Sequence, residues 1–210
     1  GSLGEYTDPA FNGTAFLGGT YASITYSKWI LSQLCYINHF EFLNDRNEWV
    51  AFERAEDTLT NVTAVETPVY ITSGVAWRIK TTYGETAVPD LMTNLTLHIA
   101  DGYTVTARWV DFDDRSKVVA ETVLTASGPL GSHDFTTVLP VQSDPYMLQC
   151  ELTAVRSGMP DYALTNDKDG TAWMDVIPAT VPTPTLPSKT YTGENLTADV
   201  PVSTLYTVQS

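Results

Sequence analysis

From about residue 40 to residue 157 the chain is patterned in period two, and that constrains its fold more than any other feature. In LTLHIADGYTVTARWV, Leu95, Leu97 and Ile99 alternate with polar neighbours, Asp101 and Gly102 supply a tight turn, and Tyr103, Val105, Ala107 and Trp109 alternate back. Alternation places every second side chain on one face, so each run is a half-buried strand, and Asp-Gly between two runs predicts a hairpin. HFEFLNDRNEWVAFER follows the same grammar: Phe40 and Phe42 share a side, Asn44, Asp45, Arg46 and Asn47 turn, and Trp49, Ala51 and Phe52 return. A further hairpin is expected in VDFDDRSKVVAETVLTA, turning through Asp113 to Lys117, and buried strands in YMLQCELTAV and GTAWMDVIP. Short strands with turn chemistry at this spacing predict an all-β fold, an antiparallel β-sandwich of Ig-like or jelly-roll-like kind.

Two stretches depart from the pattern. The first twenty residues, with FNGT and FLGGT as turn signals, read as loop with at most one short strand. SKWILSQLCYI spaces Ile30, Leu34 and Ile37, with Leu31 and Cys35, at helical intervals behind Ser27 as an N-cap, and is the one helix expected. The main β-sandwich domain is expected over residues 1–178, with subdivision near 85–90. Pro178, Pro182, Pro184 and Pro187 then mark residues 179–188 as a Pro-rich, extended linker. Residues 189–210 hold two short β-like runs around a Thr-Gly turn, too little to be stable alone.

Charge excludes several function classes. With 11 Lys+Arg against 25 Asp+Glu, the net charge is -14 and the footprint for phosphate backbones or anionic lipid is missing, so nucleic acid is not an expected partner. No run of about 18 apolar residues is present, so membrane insertion is not expected either. The start GSLGEYTDPAFNG lacks the regions of a signal peptide. Cys35 and Cys150 are the only cysteines; a bridge between them would close a long loop, whereas their apolar surroundings, LSQLCYI and YMLQCEL, suit buried free thiols. Sequons occur at Asn12, Asn61, Asn94 and Asn195, as chance allows in a Thr-rich chain.

At the C-terminus, YTGENLTADVPVSTLYTV, from Tyr191 to Val208, resembles the opening of the tandem Ig-like repeats of very large bacterial surface and secreted proteins. In those repeats a Pro-rich lead runs through YTG to a YTV strand. The resemblance implies a truncated Ig-like repeat at 189–210 and a segment of a longer, modular, extracellular chain. It does not extend to the main domain.

Catalytic signatures are missing from the sequence. None of His39, His98 and His133 sits in a catalytic motif; His98 alternates with Leu97 and Ile99 and is expected on the opposite face from them. His133 and Asp134 lie beside Ser132, but sequence neighbours rarely form a nucleophile and base pair. There is no nucleophile elbow, phosphate loop, dinucleotide fingerprint or zinc-protease motif. No cofactor is expected, with Ca²⁺ as the one ion the loops suit: NDKDG places Asn166, Asp167 and Asp169 as candidate ligands before Gly170, and DFDD clusters Asp111, Asp113 and Asp114. Both loops are incomplete as calcium sites, and Asp, Asn and Gly commonly just make turns. Among the tryptophans, Trp49 and Trp109 alternate as core residues do. Trp77, with Arg78 and Lys80 beside it, and Trp173 are the candidates to stack on a sugar ring, with Arg78 bonding to hydroxyls.

These features lead to one expectation: not an enzyme but a non-catalytic module of a bacterial secreted or cell-surface multidomain protein. Adhesion, ligand binding or domain spacing would be its role, with glycans or a host or cell-surface protein as partners. The alternatives are an accessory carbohydrate-binding domain of a secreted hydrolase, or a phage tail or fibre structural domain.

Overall fold

A computed structural model describes residues 18–26, 28–50, 57–73, 78–85, 95–130, 135–136, 138–165, 170–181, 188, 190 and 192–194. They are mostly β. In chain order the elements are β1 (Thr20–Tyr26), α1 (Lys28–Asn38), β2 (Phe40–Leu43), β3 (Asp57–Glu66), β4 (Val69–Ser73), β5 (Arg78–Thr82), β6 (Thr96–Ile99), β7 (Thr104–Asp111), β8 (Val118–Leu124), β9 (Gly128–Pro129), β10 (Tyr146–Val155), β11 (Tyr162–Thr165) and β12 (Thr171–Ile177). The Pro-rich linker, apart from residues 179–181 and 188, and the partial repeat, apart from residues 190 and 192–194, lie outside the described residues.

The strands form three sheets: β1-β3-β2, β4-β6-β9, and a six-stranded sheet ordered β5-β12-β10-β7-β8 with β11 also on β10. Among the described residues every pairing is antiparallel except that of β5 with β12, which is parallel and makes the large sheet mixed rather than purely antiparallel as expected. A parallel neighbour requires a long crossover, and the chain between Thr82 and Thr171 separates these two strands.

The Asp101-Gly102 turn also departs from expectation. Tyr103 N donates to Ala100 O at 3.2 Å and Gly102 has φ 80°, so the tight turn forms. Yet β6 bonds to β4 and β9, while β7 bonds to β10 and β8. The turn therefore passes the chain from one sheet to another instead of closing a hairpin. Alternation identifies the buried face and carries no information about the hydrogen-bonding partner. Leu95, Leu97 and Ile99 from one sheet and Val105, Ala107 and Trp109 from the other still meet in one core, with Leu148, Cys150 and Leu152 of β10. The Asp113 to Lys117 hairpin joins β7 to β8 as expected, with a bulge between Trp109 and Val110 that buries both residues. Trp109 Nε1 has no acceptor there, a cost offset by burial of the whole ring.

A second cluster forms where α1 packs on β1-β3-β2. Leu31 and Cys35 meet Ile24, Phe40, Phe42, Leu59 and Val62, with Leu34 partly buried beside them. Ile37, placed by spacing in the same stripe, is instead 59% exposed, and Trp29 and Tyr36 stand out on the helix at 67% and 73%. The helix ends as Asn38 Nδ2 donates to Leu34 O at 3.1 Å and His39 turns left-handed at φ 52°. β1 begins at Thr20, the last of the twenty residues read as loop with at most one short strand, and its remainder precedes the expected helix. In the Asn44 to Asn47 turn, Leu43 bridges Trp49 and Val50 N donates to Phe42 O, but the expected return through Ala51 and Phe52 lies outside the described residues. Both cysteines are buried free thiols in different clusters, so no bridge joins them.

Candidate functional site

The clusters meet through aromatic side chains. Trp49 Nε1 donates to Pro160 O at 3.2 Å and Asp161 O at 3.0 Å, and its ring packs edge-on against Tyr162 at 5.2 Å. Tyr162 on β11 in turn donates its hydroxyl to Glu41 Oε1 on β2 at 3.0 Å. Beside this contact a cleft of about 260 Å³ opens between α1 and β2 on one side and β4 and β11 on the other. Helix α1 contributes Ser32, Cys35 and Tyr36, β2 contributes Glu41, β4 contributes Val69, Tyr70 and Ile71, and β11 contributes Tyr162 and Leu164; His39 and Thr67 complete the wall.

Local structure explains each placement. Phe40 and Phe42 point into the core, so Glu41 between them must face away, toward the cleft. The left-handed turn at His39 lays its ring flat on Tyr70, with centroids 3.8 Å apart and planes 6° apart. Tyr70 stacks in turn near His98, at 4.7 Å and 26°. His98 faces outward while Leu97 and Ile99 are buried, and its Nε2 lies 2.7 Å from Glu66 Oε1.

Burial sets the chemistry. It raises the Glu41 carboxyl above the usual range, and the Tyr162 hydrogen bond only partly opposes this. Burial, with Glu41 nearby, pushes the Tyr162 phenol up, so that it remains a donor. The same two causes push the Cys35 thiol far above neutral. Desolvation, and His98 second, lower His39. Ser32 Oγ donates to Trp29 O at 2.9 Å within its own helix. Neither the thiol nor this hydroxyl is therefore poised as a nucleophile, and the cleft is equipped to hold a ligand with rings and one carboxylate.

Little of the sequence-derived candidate set coincides with this cleft. Trp173 is on β12, 38% exposed, and its backbone pairs with that of Arg78 on β5. Trp77, the Arg78 side chain, and the candidate calcium ligands Asn166, Asp167 and Asp169 lie outside the described residues, as do His133 and Asp134. Asp111 Oδ1 accepts from Asp113 N and Asp114 N at 3.0 and 3.3 Å, its Oδ2 lies 3.4 Å from Lys117 Nζ, and Asp114 Oδ1 accepts from Ser116 Oγ at 2.6 Å. These carboxylates serve their turn. Among the described residues no group of three or more His, Cys, Asp or Glu side chains is arranged to hold a metal, and no helix is long and apolar enough to cross a membrane. Glu41, Tyr70 and Tyr162 were not singled out by sequence, although a carboxylate alternating between two phenylalanines was the available signal for Glu41.

No protein-family model matches the chain, and no curated protein and no solved structure matches it either.

Proposed function

We propose that the chain is a non-catalytic binding module of a bacterial secreted or cell-surface multidomain protein, and that its ligand sits in the cleft between α1–β2 and β4–β11. The carrying observation is that three tyrosines and a histidine from four separate segments converge with one half-buried carboxylate around a concave space. Ligand sites are concave, mostly apolar and furnished with few polar groups, and a cleft between packed units is a favoured place for them. On this proposal β4-β6-β9 and the large sheet form the two layers of a sandwich, since residues of both fill one core. An extracellular setting is supported by the acidic surface and by the repeat-like residues 191–208, on which the Ig-like kinship also rests.

The test is an amide NMR titration of the whole chain with a panel of neutral glycans, amino acids, organic cations and organic anions. Saturable shifts confined to residues 32–41, 67–71 and 162–164 are expected for at least one class. Shifts elsewhere, or none across the panel, overturn the assignment.

A second reading as an accessory carbohydrate-binding domain is supported by Trp173, whose half-exposed ring on β12 is suited to stack on a sugar face. In that case tryptophan fluorescence responds to a glycan and Trp173→Ala abolishes the response, while the cleft amides remain still.

A further inference from the structure

Among the described residues, Glu41 is the carboxylate that lines the cleft, and it differs from those held in ion pairs. Glu48, Glu121, Glu151 and Asp111 each lie within 3.5 Å of an Arg or Lys nitrogen, and Glu66 within 2.7 Å of His98. Glu41 is half-buried, and burial raises its carboxyl, yet among the described residues no basic side chain lies within ion-pair distance of it. Its hydrogen-bond partner is the neutral Tyr162 hydroxyl, which occupies Oε1. A carboxylate removed from water without a counter-charge is costly, and that cost is recovered if a cation enters.

The walls favour the same kind of occupant. Tyr36, Tyr70 and Tyr162 line the space; Tyr70 already stacks on His39 and near His98, so Tyr162 and the largely exposed Tyr36 offer the rings that attract a cation through their quadrupole. The cavity of about 260 Å³ lies just below the range of about 300–1,000 Å³ usual for ligand pockets, which suits a compact head group better than a chain of sugars. A net charge of -14 enriches cations and depletes anions around the molecule.

We propose that the cleft takes an organic ammonium ion, with the Glu41 carboxylate as its counter-charge and the rings of Tyr36, Tyr70 and Tyr162 as its walls. This rests on the cleft being the ligand site, and it adds the chemical class. A primary ammonium donates hydrogen bonds to Glu41 Oε2, whereas a quaternary head group relies on the rings. Both share the charge that the cleft reads.

The experiment titrates the full chain at pH 7.5, by amide NMR, with choline, n-butylammonium and 3,3-dimethylbutan-1-ol, the last having the shape of choline without its charge. At least one cation is expected to shift the cleft residues saturably and to bind tenfold or more tighter than the neutral alcohol. Tighter choline marks a quaternary ligand and tighter n-butylammonium a primary one. Glu41→Gln, which keeps an acceptor for Tyr162, is expected to weaken the cation tenfold or more and leave the alcohol unchanged. Should that variant not fold, Tyr36→Leu serves, removing one ring and weakening the cation more than the alcohol. Equal binding of cation and alcohol, or an unchanged cation affinity in the variant that folds, overturns the ammonium assignment and leaves the cleft as a binding site. No shift with either cation overturns it too, and the wider panel of glycans, amino acids and anions then decides the cleft separately.

Discussion

The Tyr162 hydroxyl donates to Glu41 Oε1 across 3.0 Å, joining residues 121 positions apart. One end lies on the strand that follows the helix and the other at the margin of the large sheet. The bond therefore ties the helix-bearing cluster to the main core, and it also fixes the carboxylate that the cleft presents.

Tyr162→Phe removes that donor while keeping the ring against Trp49. A part-buried hydrogen bond to a charged acceptor is worth about 1–2 kcal/mol, so the urea midpoint is expected to fall by that equivalent with an unchanged slope. An unchanged midpoint would show that the bond contributes nothing to holding the clusters together.

Stability should carry two opposed pH dependences in this region. The Glu41 carboxyl, facing Tyr162 and Cys35, is raised in the folded chain. Its contribution is full below the unfolded value of 4.5 and is lost as pH rises through the folded value. His39, facing Tyr70 and His98, is lowered, so its contribution is full above 6.5 and is lost as pH falls through the folded value. Glu41→Gln is expected to gain stability over the parent as pH climbs from 4 to 7, and His39→Asn to gain it as pH drops below about 6. Urea midpoints at four pH values would check both signs.

Gly102 and Gly158 make a matched pair, at φ 80° and 79°. A Cβ at Gly102 would stand 3.3 Å from Arg156 Nε, whereas one at Gly158 meets nothing within 4 Å. Alanine at either site pays the left-handed strain of about 1–2 kcal/mol. Gly102→Ala should cost more, because Arg156 must also shift over the Tyr103 ring, 5.6 Å away. Equal losses in thermal unfolding would assign the whole cost to the backbone.

The two thiols should be inert until the chain unfolds. Cys150 is fully buried and pushed up to about 12 by desolvation, and Cys35 is raised further. Ellman's reagent is expected to react with neither in buffer and with both in denaturant. Prompt reaction of one thiol in buffer would point to opening near Cys35, the one that borders the cleft.

Much of this architecture was legible because its signals are local. Alternation in 95–109 marked Leu97, Ile99, Val105 and Trp109 as buried, and helical spacing marked Leu31 and Cys35, since strand and helix geometry alone decide which side chains share a face. The same signals placed His98 outward and put Phe40 and Phe42 on one side. Partners were not legible. The Asp101-Gly102 turn reads as a hairpin in isolation, yet β7 matches β10 over eight consecutive positions from Asp111↔Leu148 to Thr104↔Val155, and such a ladder outweighs a local turn preference. The cleft was equally hidden, because outward-facing Glu41, Tyr70 and Tyr162 become a site only where chain closure brings three separate strands together. The β character, the helix and the inward faces follow from local pattern. Which edges pair and which outward residues meet follows from the folded chain, because hydrogen-bond ladders and packed cores compare segments across its whole length, whereas alternation and turn chemistry compare only neighbours.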